Sequence, residues 1–226
     1  MEVSFVICLL TASLTLVFAK SQECTVCQSS GKNCQGNKEV CPTPEDKCSI
    51  ILLEKTLGPP SHATKKSCIR PEECNKGLAV LDMGNQQIIK GHVSCCEDNQ
   101  CTHNFSLPAR KIVTTNNKRC PACYTEPKEQ SGCQEKTINC TGEDEIYCAE
   151  VFLQKKEGGK NTTTTMKGCA NKAFCEKMEI SAIVTPFTLL PNSNCKNTTG
   201  AVDTTTGSFG LFLSAQAGLL LVTIFS

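Results

Sequence analysis

The sequence predicts a small, disulfide-rich, all-β protein made of two tandem domains. Cysteine density, a repeated cysteine spacing and strand-like runs ending in Gly or Pro turns predict it. Of 226 residues, 19 are Cys, none is Trp, and aromatic residues make up 5%. A chain so poor in large apolar side chains closes only a thin core. Small secreted domains offset this with cross-links, each stabilising by about 2–4 kcal/mol.

The spacing is a duplication. The first block is Cys24, Cys27, Cys34, Cys41, Cys48, Cys68, Cys74, Cys95, Cys96 and Cys101, with intervals of 2, 6, 6, 6, 19, 5, 20, 0 and 4 residues. The second is Cys120, Cys123, Cys133, Cys140, Cys148, Cys169, Cys175 and Cys195, with intervals of 2, 9, 6, 7, 20, 5 and 19. The seven shared intervals agree within three residues, the mark of a repeated unit. Within each unit the gaps of about 20 residues are long enough for a hairpin. Ser49–Leu53 and Ala149–Leu153 are strand-like, and lead to turns at Gly58-Pro59-Pro60 and Gly158-Gly159. Helical periodicity is weak.

The N-terminus sets the compartment. Val3–Phe18 is apolar apart from Ser and Thr, and Val17-Phe18-Ala19 suits signal peptidase, so residues 1–19 read as a signal peptide. Its removal takes Cys8 and leaves eighteen cysteines, an even set. The first domain then spans 20–104 and the second 120–196. Residues 105–119, with Pro108 and the polar run Thr114–Asn117, read as a linker, or as a late strand plus linker, and 197–226 form a C-terminal extension. The formal net charge is +1 with no strongly basic face, which argues against nucleic acid as a partner.

The opening C-x-x-C, the later hairpins and the closing Cys95-Cys96-Glu97-Asp98-Asn99-Gln100-Cys101 resemble the lymphocyte-antigen-6/urokinase-receptor superfamily of three-finger domains. The phrases Lys118-Arg119-Cys120-Pro121-Ala122-Cys123-Tyr124, Cys140-Thr141-Gly142-Glu143-Asp144 and Met166-Lys167-Gly168-Cys169-Ala170 look like the gamma-type phospholipase A2 inhibitors. That resemblance implies two three-finger domains, with bridges 24–48, 27–34, 41–68, 74–95 and 96–101, then 120–148, 123–133, 140–169 and 175–195. Spacing alone leaves many connectivities open. Two departures stand out: Thr102 follows Cys101 where the superfamily usually has Asn, and the second unit stops at Cys195 without the last small loop.

Catalytic chemistry finds little footing. Cys120-Pro-Ala-Cys123 has the spacing of a redox motif, but no βαβ context accompanies it and Cys24-Thr-Val-Cys27 holds the equivalent place. A secreted chain with regularly repeated cysteines favours disulfides over zinc. His62, His92 and His103 form no metal-binding doublet and are expected at hairpin tips or in the linker. Glu143-Asp144-Glu145 reads as a solvated loop. The expectation is a non-enzyme without cofactor or metal.

What remains is binding and modification. Sequons start at Asn104, Asn139, Asn161 and Asn197. Phe209–Ser226 is an apolar terminal tail after a polar, small-residue spacer. This order matches a glycosylphosphatidylinositol-attachment signal, with Asn197, Gly200 and Asp203 as candidate attachment residues. Ile180–Pro191 is the most apolar stretch between signal and tail, and Ile183, Val184, Phe187, Leu189 and Leu190 are its candidate partner-binding residues. The alternative is packing of that run within the sheet or between the units. The resemblance implies a non-catalytic extracellular protein that blocks a secreted phospholipase A2 by contact. Two further readings are a lipid-anchored cell-surface receptor or modulator of urokinase-receptor type, and a secreted, pheromone-like signalling protein.

Overall fold

The computed structural model describes residues 21–74, 76–97, 99–102, 105–125, 133–176 and 187–198. The signal segment, the apolar tail, His103, Asn104, Ile183, Val184, Gly200 and Asp203 lie outside these residues.

The first unit contains β1 (Glu23–Ser29), β2 (Asn37–Val40), β3 (Lys47–Lys55), β4 (Ser61–Ile69), β5 (Leu78–Asp82) and β6 (Ile88–Cys95). All its pairings are antiparallel, in the order β2-β1-β4-β3-β6-β5. The strand-like run Ser49–Leu53 forms the middle of β3. Strands β4 and β6 flank β3, and its two faces serve two apolar clusters. Ile51 and Leu53 enter the main core, while Ile50 and Leu52 pack against the cystines. An uninterrupted apolar run is what a strand buried on both faces requires. His92 lies inside β6 opposite Leu52, not at a hairpin tip, because the return strand already begins at Ile88.

The second unit contains β7 (Arg119–Tyr124), β8 (Lys136–Asn139), β9 (Tyr147–Glu157), β10 (Lys160–Ala170), a short helix α1 (Lys172–Glu176), β11 (Phe187–Leu189) and β12 (Asn194–Asn197). Strands β9 and β10 pair from Glu157↔Lys160 to Tyr147↔Ala170. The two residues left between them, Gly158 and Gly159, have φ of 56° and 80°. A two-residue hairpin turn with both residues left-handed matches the twist of the strands, and glycine adopts it without a Cβ clash. Both β11 and β12 add to the free edge of β9.

The units share one sheet. Strand β5 of the first pairs antiparallel with β10 of the second through Cys169↔Asp82 and Ala170↔Leu81. Gly168 permits the approach, since a Cβ there would lie 2.1 Å from the Asp82 carbonyl oxygen. The apolar interior is shared as well. Leu81, Ile89 and Leu53 belong to the same connected cluster as Val151, Met166 and Phe174. Fully burying each such side chain is worth about 1.5–3 kcal/mol. The two repeats thus close a joint core that neither closes alone.

Candidate partner-binding surface

Nine disulfides hold the frame: Cys24–Cys48, Cys27–Cys34, Cys41–Cys68, Cys74–Cys95 and Cys96–Cys101, then Cys120–Cys148, Cys123–Cys133, Cys140–Cys169 and Cys175–Cys195. Their Cα–Cα distances of 5.2–5.9 Å fall within the usual range. In each unit two bridges stack. The sulfurs of Cys24 and Cys41 lie 3.2 Å apart, and those of Cys120 and Cys140 lie 3.8 Å apart. The sulfur triplets Cys24/Cys41/Cys68 and Cys120/Cys140/Cys169 are compact enough to hold a metal, but every member is spent in a bridge. A bridged sulfur has no thiolate to donate. For the same reason neither C-x-x-C is a dithiol: Cys120 and Cys123 pair with different partners.

The segment between the blocks is fastened down. Phe105 packs beside Leu52 on the cystine cluster. Together with Leu107 and Pro108, it borders a cleft of about 340 Å³ over the first unit, floored by Leu52, Thr64 and Lys90. Arg110 then joins the units. Its Nη2 donates to Asp82 Oδ2 at 2.6 Å and to Thr141 Oγ1 at 3.0 Å, and its Nε donates to Glu145 Oε1 at 2.7 Å. Glu145 is 0% exposed, and its other carboxylate oxygen accepts from the Gly142 N–H at 3.0 Å.

This corrects the solvated-loop expectation at Glu145; Glu143 and Asp144 are exposed as expected. Asp144 accepts from Asn171, and Glu145 is the buried counter-ion of Arg110. Burial pushes the Glu145 carboxyl above the usual range, with the Arg110 charge pulling the other way. A second lock is Asn171, which is 2% exposed. Its Oδ1 accepts from the backbone N–H groups of Val80 and Phe174, both at 3.0 Å, and its Nδ2 donates to the Leu78 carbonyl at 2.6 Å. Besides the local bonds to Phe174 and Gly142, both locks act across long sequence separations. Although Asn171 stands where a cap of α1 belongs, no local motif announces its interunit bonds or those of Arg110, Asp82 and Glu145.

The candidate contact residues divide. Phe187 and Leu189 lie on β11 opposite Lys155 and Leu153, each half-buried against the main core. Leu190 follows the strand, with its N–H donating to the Phe152 carbonyl at 2.8 Å. Phe187–Leu189 therefore form a short strand on the β9 edge with Phe187 and Leu189 partly exposed. A groove of about 290 Å³ includes Arg119, Glu135, Glu150, Lys167 and Lys196 in its lining. Lys167 donates to Glu135 at 2.7 Å and pairs with Glu150. The hydrogen bond from Lys167 holds the Glu150 carboxyl below its ordinary value. The bonds to Glu135 and then Glu150 raise the Lys167 ammonium. Of the sequons, Asn139 ends β8, Asn161 stands at the start of β10 and Asn197 ends β12.

Two disulfide-framed units of antiparallel hairpins define a tandem three-finger protein of the u-PAR/Ly-6 class. Residues 116–200 match the u-PAR/Ly-6 domain family, and residues 22–103 match the family described as phospholipase A2 inhibitor. Phospholipase A2 inhibitor PIP of Malayopython reticulatus is 30% identical over 152 residues, covering 67% of this chain and 74% of that protein. Phospholipase A2 inhibitor gamma subunit A2 of Trimerodytes annularis is 28% identical over 162 residues, 71% and 86% of the two chains. Phospholipase A2 inhibitor LNF2 of Lachesis muta muta is 29% identical over 176 residues, 76% and 85%. The chain belongs to the phospholipase A2 inhibitor family of three-finger proteins.

Proposed function

We propose that the chain is a non-catalytic extracellular binding protein that blocks a secreted phospholipase A2 by protein–protein contact. The observation that carries this is the similarity to phospholipase A2 inhibitors across 152 residues, which spans most of the paired-unit frame. The frame suits the task. Bridges and interunit locks fix the backbone, so finger surfaces present a preorganised contact at low ordering cost. The apolar edge run is the proposed contact, with Phe187, Leu189 and Leu190 at its described end and Ile183 and Val184 in the preceding segment. Contact at an apolar patch there would cover the lipid-facing surface of the enzyme. The test is inhibition of a panel of secreted phospholipases by the recombinant ectodomain. Absence of binding at micromolar protein sinks the reading.

A second reading concerns place. The terminal run Phe209–Ser226, after a polar spacer, favours a lipid-anchored protein at the cell surface, with Asn197, Gly200 or Asp203 as the attachment residue. An anchored inhibitor would protect the membrane that carries it, while an anchored receptor would signal or capture a ligand there. Release from cells by a phosphatidylinositol-specific phospholipase C supports the anchor. Retention after that treatment counts against it.

A further inference from the structure

The second sequon, Asn139-Cys140-Thr141, is held in the folded protein along its length: Asn139 pairs with Arg119 at the end of β8, and the next two residues are held more tightly. Cys140 is fully buried and bridged to Cys169. Its N–H donates to the Lys118 carbonyl at 2.9 Å, and its carbonyl accepts from the Asn116 N–H at 3.1 Å. The Thr141 carbonyl accepts from the Val113 N–H at 2.8 Å. The Thr141 hydroxyl accepts from Arg110 Nη2 at 3.0 Å and donates to Asp82 Oδ2 at 3.3 Å. Glycosyl transfer to Asn-X-Thr needs the acceptor peptide free of the surface, with both the amide and the Thr hydroxyl presented to the transferase. Here the hydroxyl belongs to the interunit lock. Asn161 differs, because it stands beside the Gly158-Gly159 turn with Asn161 and Thr163 exposed, and no bridge closes over its sequon.

We infer that Asn139 is a glycosylation site of the unfinished chain only, so that its modification and closure of Cys140–Cys169 are ordered events, glycan first. The inference rests on the secretory route of the proposed function, not on phospholipase binding. In the transfer, Asn139 Nδ2 bonds to the anomeric carbon of a lipid-pyrophosphate-linked oligosaccharide. The C–O bond to the pyrophosphate breaks, the lipid pyrophosphate leaves, and the amide proton passes to the transferase. In the closure, the two thiols lose two protons and two electrons to a protein disulfide, which becomes a dithiol. Cys169 follows Cys140 by 29 residues, so synthesis leaves an interval in which the sequon is open. The finished fold tolerates the product. Asn139 is exposed, and its Oδ1, which accepts from Arg119 Nε at 3.0 Å, is kept when Nδ2 carries sugar.

The test uses the full chain made without glycans, oxidatively refolded, and offered to purified oligosaccharyl transferase with lipid-linked oligosaccharide. Site occupancy is read by glycopeptide mass spectrometry. Asn139 in the refolded chain is expected to be labelled at least about tenfold less than in the same chain kept reduced, because acceptor exposure there needs local unfolding. Asn161 in the reduced chain reports that the enzyme and donor work, since in the folded chain its sequon is paired in the β9–β10 ladder. Cys169→Ser, refolded in parallel, is expected to be labelled at Asn139 more than the refolded wild type, because loss of the bridge makes opening of the clasp easier; labelling no higher than in the refolded wild type would remove Cys140–Cys169 closure as the ordering event. Equal labelling of Asn139 in refolded and reduced wild-type chains overturns the inference, and so does failure of Asn139 to be labelled in the reduced chain. Neither outcome bears on phospholipase inhibition, which the binding panel reads separately.

Discussion

Arg110 sits between a carboxylate from each unit. Its removal strands Glu145, fully buried, without a counter-ion. Arg110→Ala is therefore expected to destabilise by about 3–5 kcal/mol, the usual cost of breaking a buried pair from one side. Chemical denaturation of the disulfide-intact protein measures it. Asn171→Ala leaves the Val80 and Phe174 N–H groups and the Leu78 carbonyl short of their partner, with a cost of about 1–3 kcal/mol for each group left unsatisfied. Glu145 also sets a pH dependence. Its folded pKa is raised, chiefly by burial. A raised folded value means the group's contribution to stability is complete below the unfolded carboxyl value. That contribution is lost as pH rises through the folded value. Glu145→Gln removes this titration, so the stability of wild type relative to the variant should be greatest in acid and decline toward neutral pH. Denaturant midpoints across that range decide the point, and a difference that grows toward neutral pH would reverse the assignment.

At the scale of elements, the junction of β5 and β10 depends on the missing side chain of Gly168. A Cβ there would meet a backbone carbonyl, which cannot rotate away, so Gly168→Ala should part these two strands while leaving the bridges of each unit closed. Amide exchange at Leu81 and Asp82 is expected to speed up in the variant, with the β3–β4 ladder unchanged. Both hairpins could be anticipated because the strand-like runs at Ser49–Leu53 and Ala149–Leu153 each lead to a glycine turn, at Gly58 and Gly158. The pairing between units could not be anticipated. It joins two-residue stretches almost ninety positions apart, and β10 carries a Thr-rich pattern that says nothing of which edge it will meet. Likewise Glu143-Asp144-Glu145 has the composition of a solvated loop. Only the arrival of Arg110 from a distant segment gives the inward-turned Glu145 its partner, while Asp144 stays exposed and accepts from Asn171.

For the whole molecule, the shared core makes the pair the cooperative unit. Either repeat expressed alone would expose part of the cluster containing Leu81, Ile89, Val151 and Met166. Isolated units are expected to bind a hydrophobic dye and unfold at lower denaturant than the joined pair, whereas matching midpoints would mean independent domains. The rigid pair also frames the binding prediction. Replacing Leu190 with Asp, outside the β11 pairing register, should weaken phospholipase inhibition about tenfold or more if the apolar edge is the contact. The denaturation midpoint of that variant checks that the loss is not one of folding.

Sequence alone determined the number of units, their disulfide-dependent character, their hairpin content and the family to which they belong. Cysteine spacing and Gly-bounded strands are local signals that survive in one dimension. Tertiary structure alone decided that the repeats merge into one sheet and one core, and that the segment between them is a clasp rather than a tether. It also placed the Asn139 sequon inside that clasp. The physical reason is that burial, and the partner a buried charge or amide then requires, depends on which distant segments meet. Spacing along the chain does not encode those meetings, so a carboxylate bound for the interior reads the same in sequence as one bound for water.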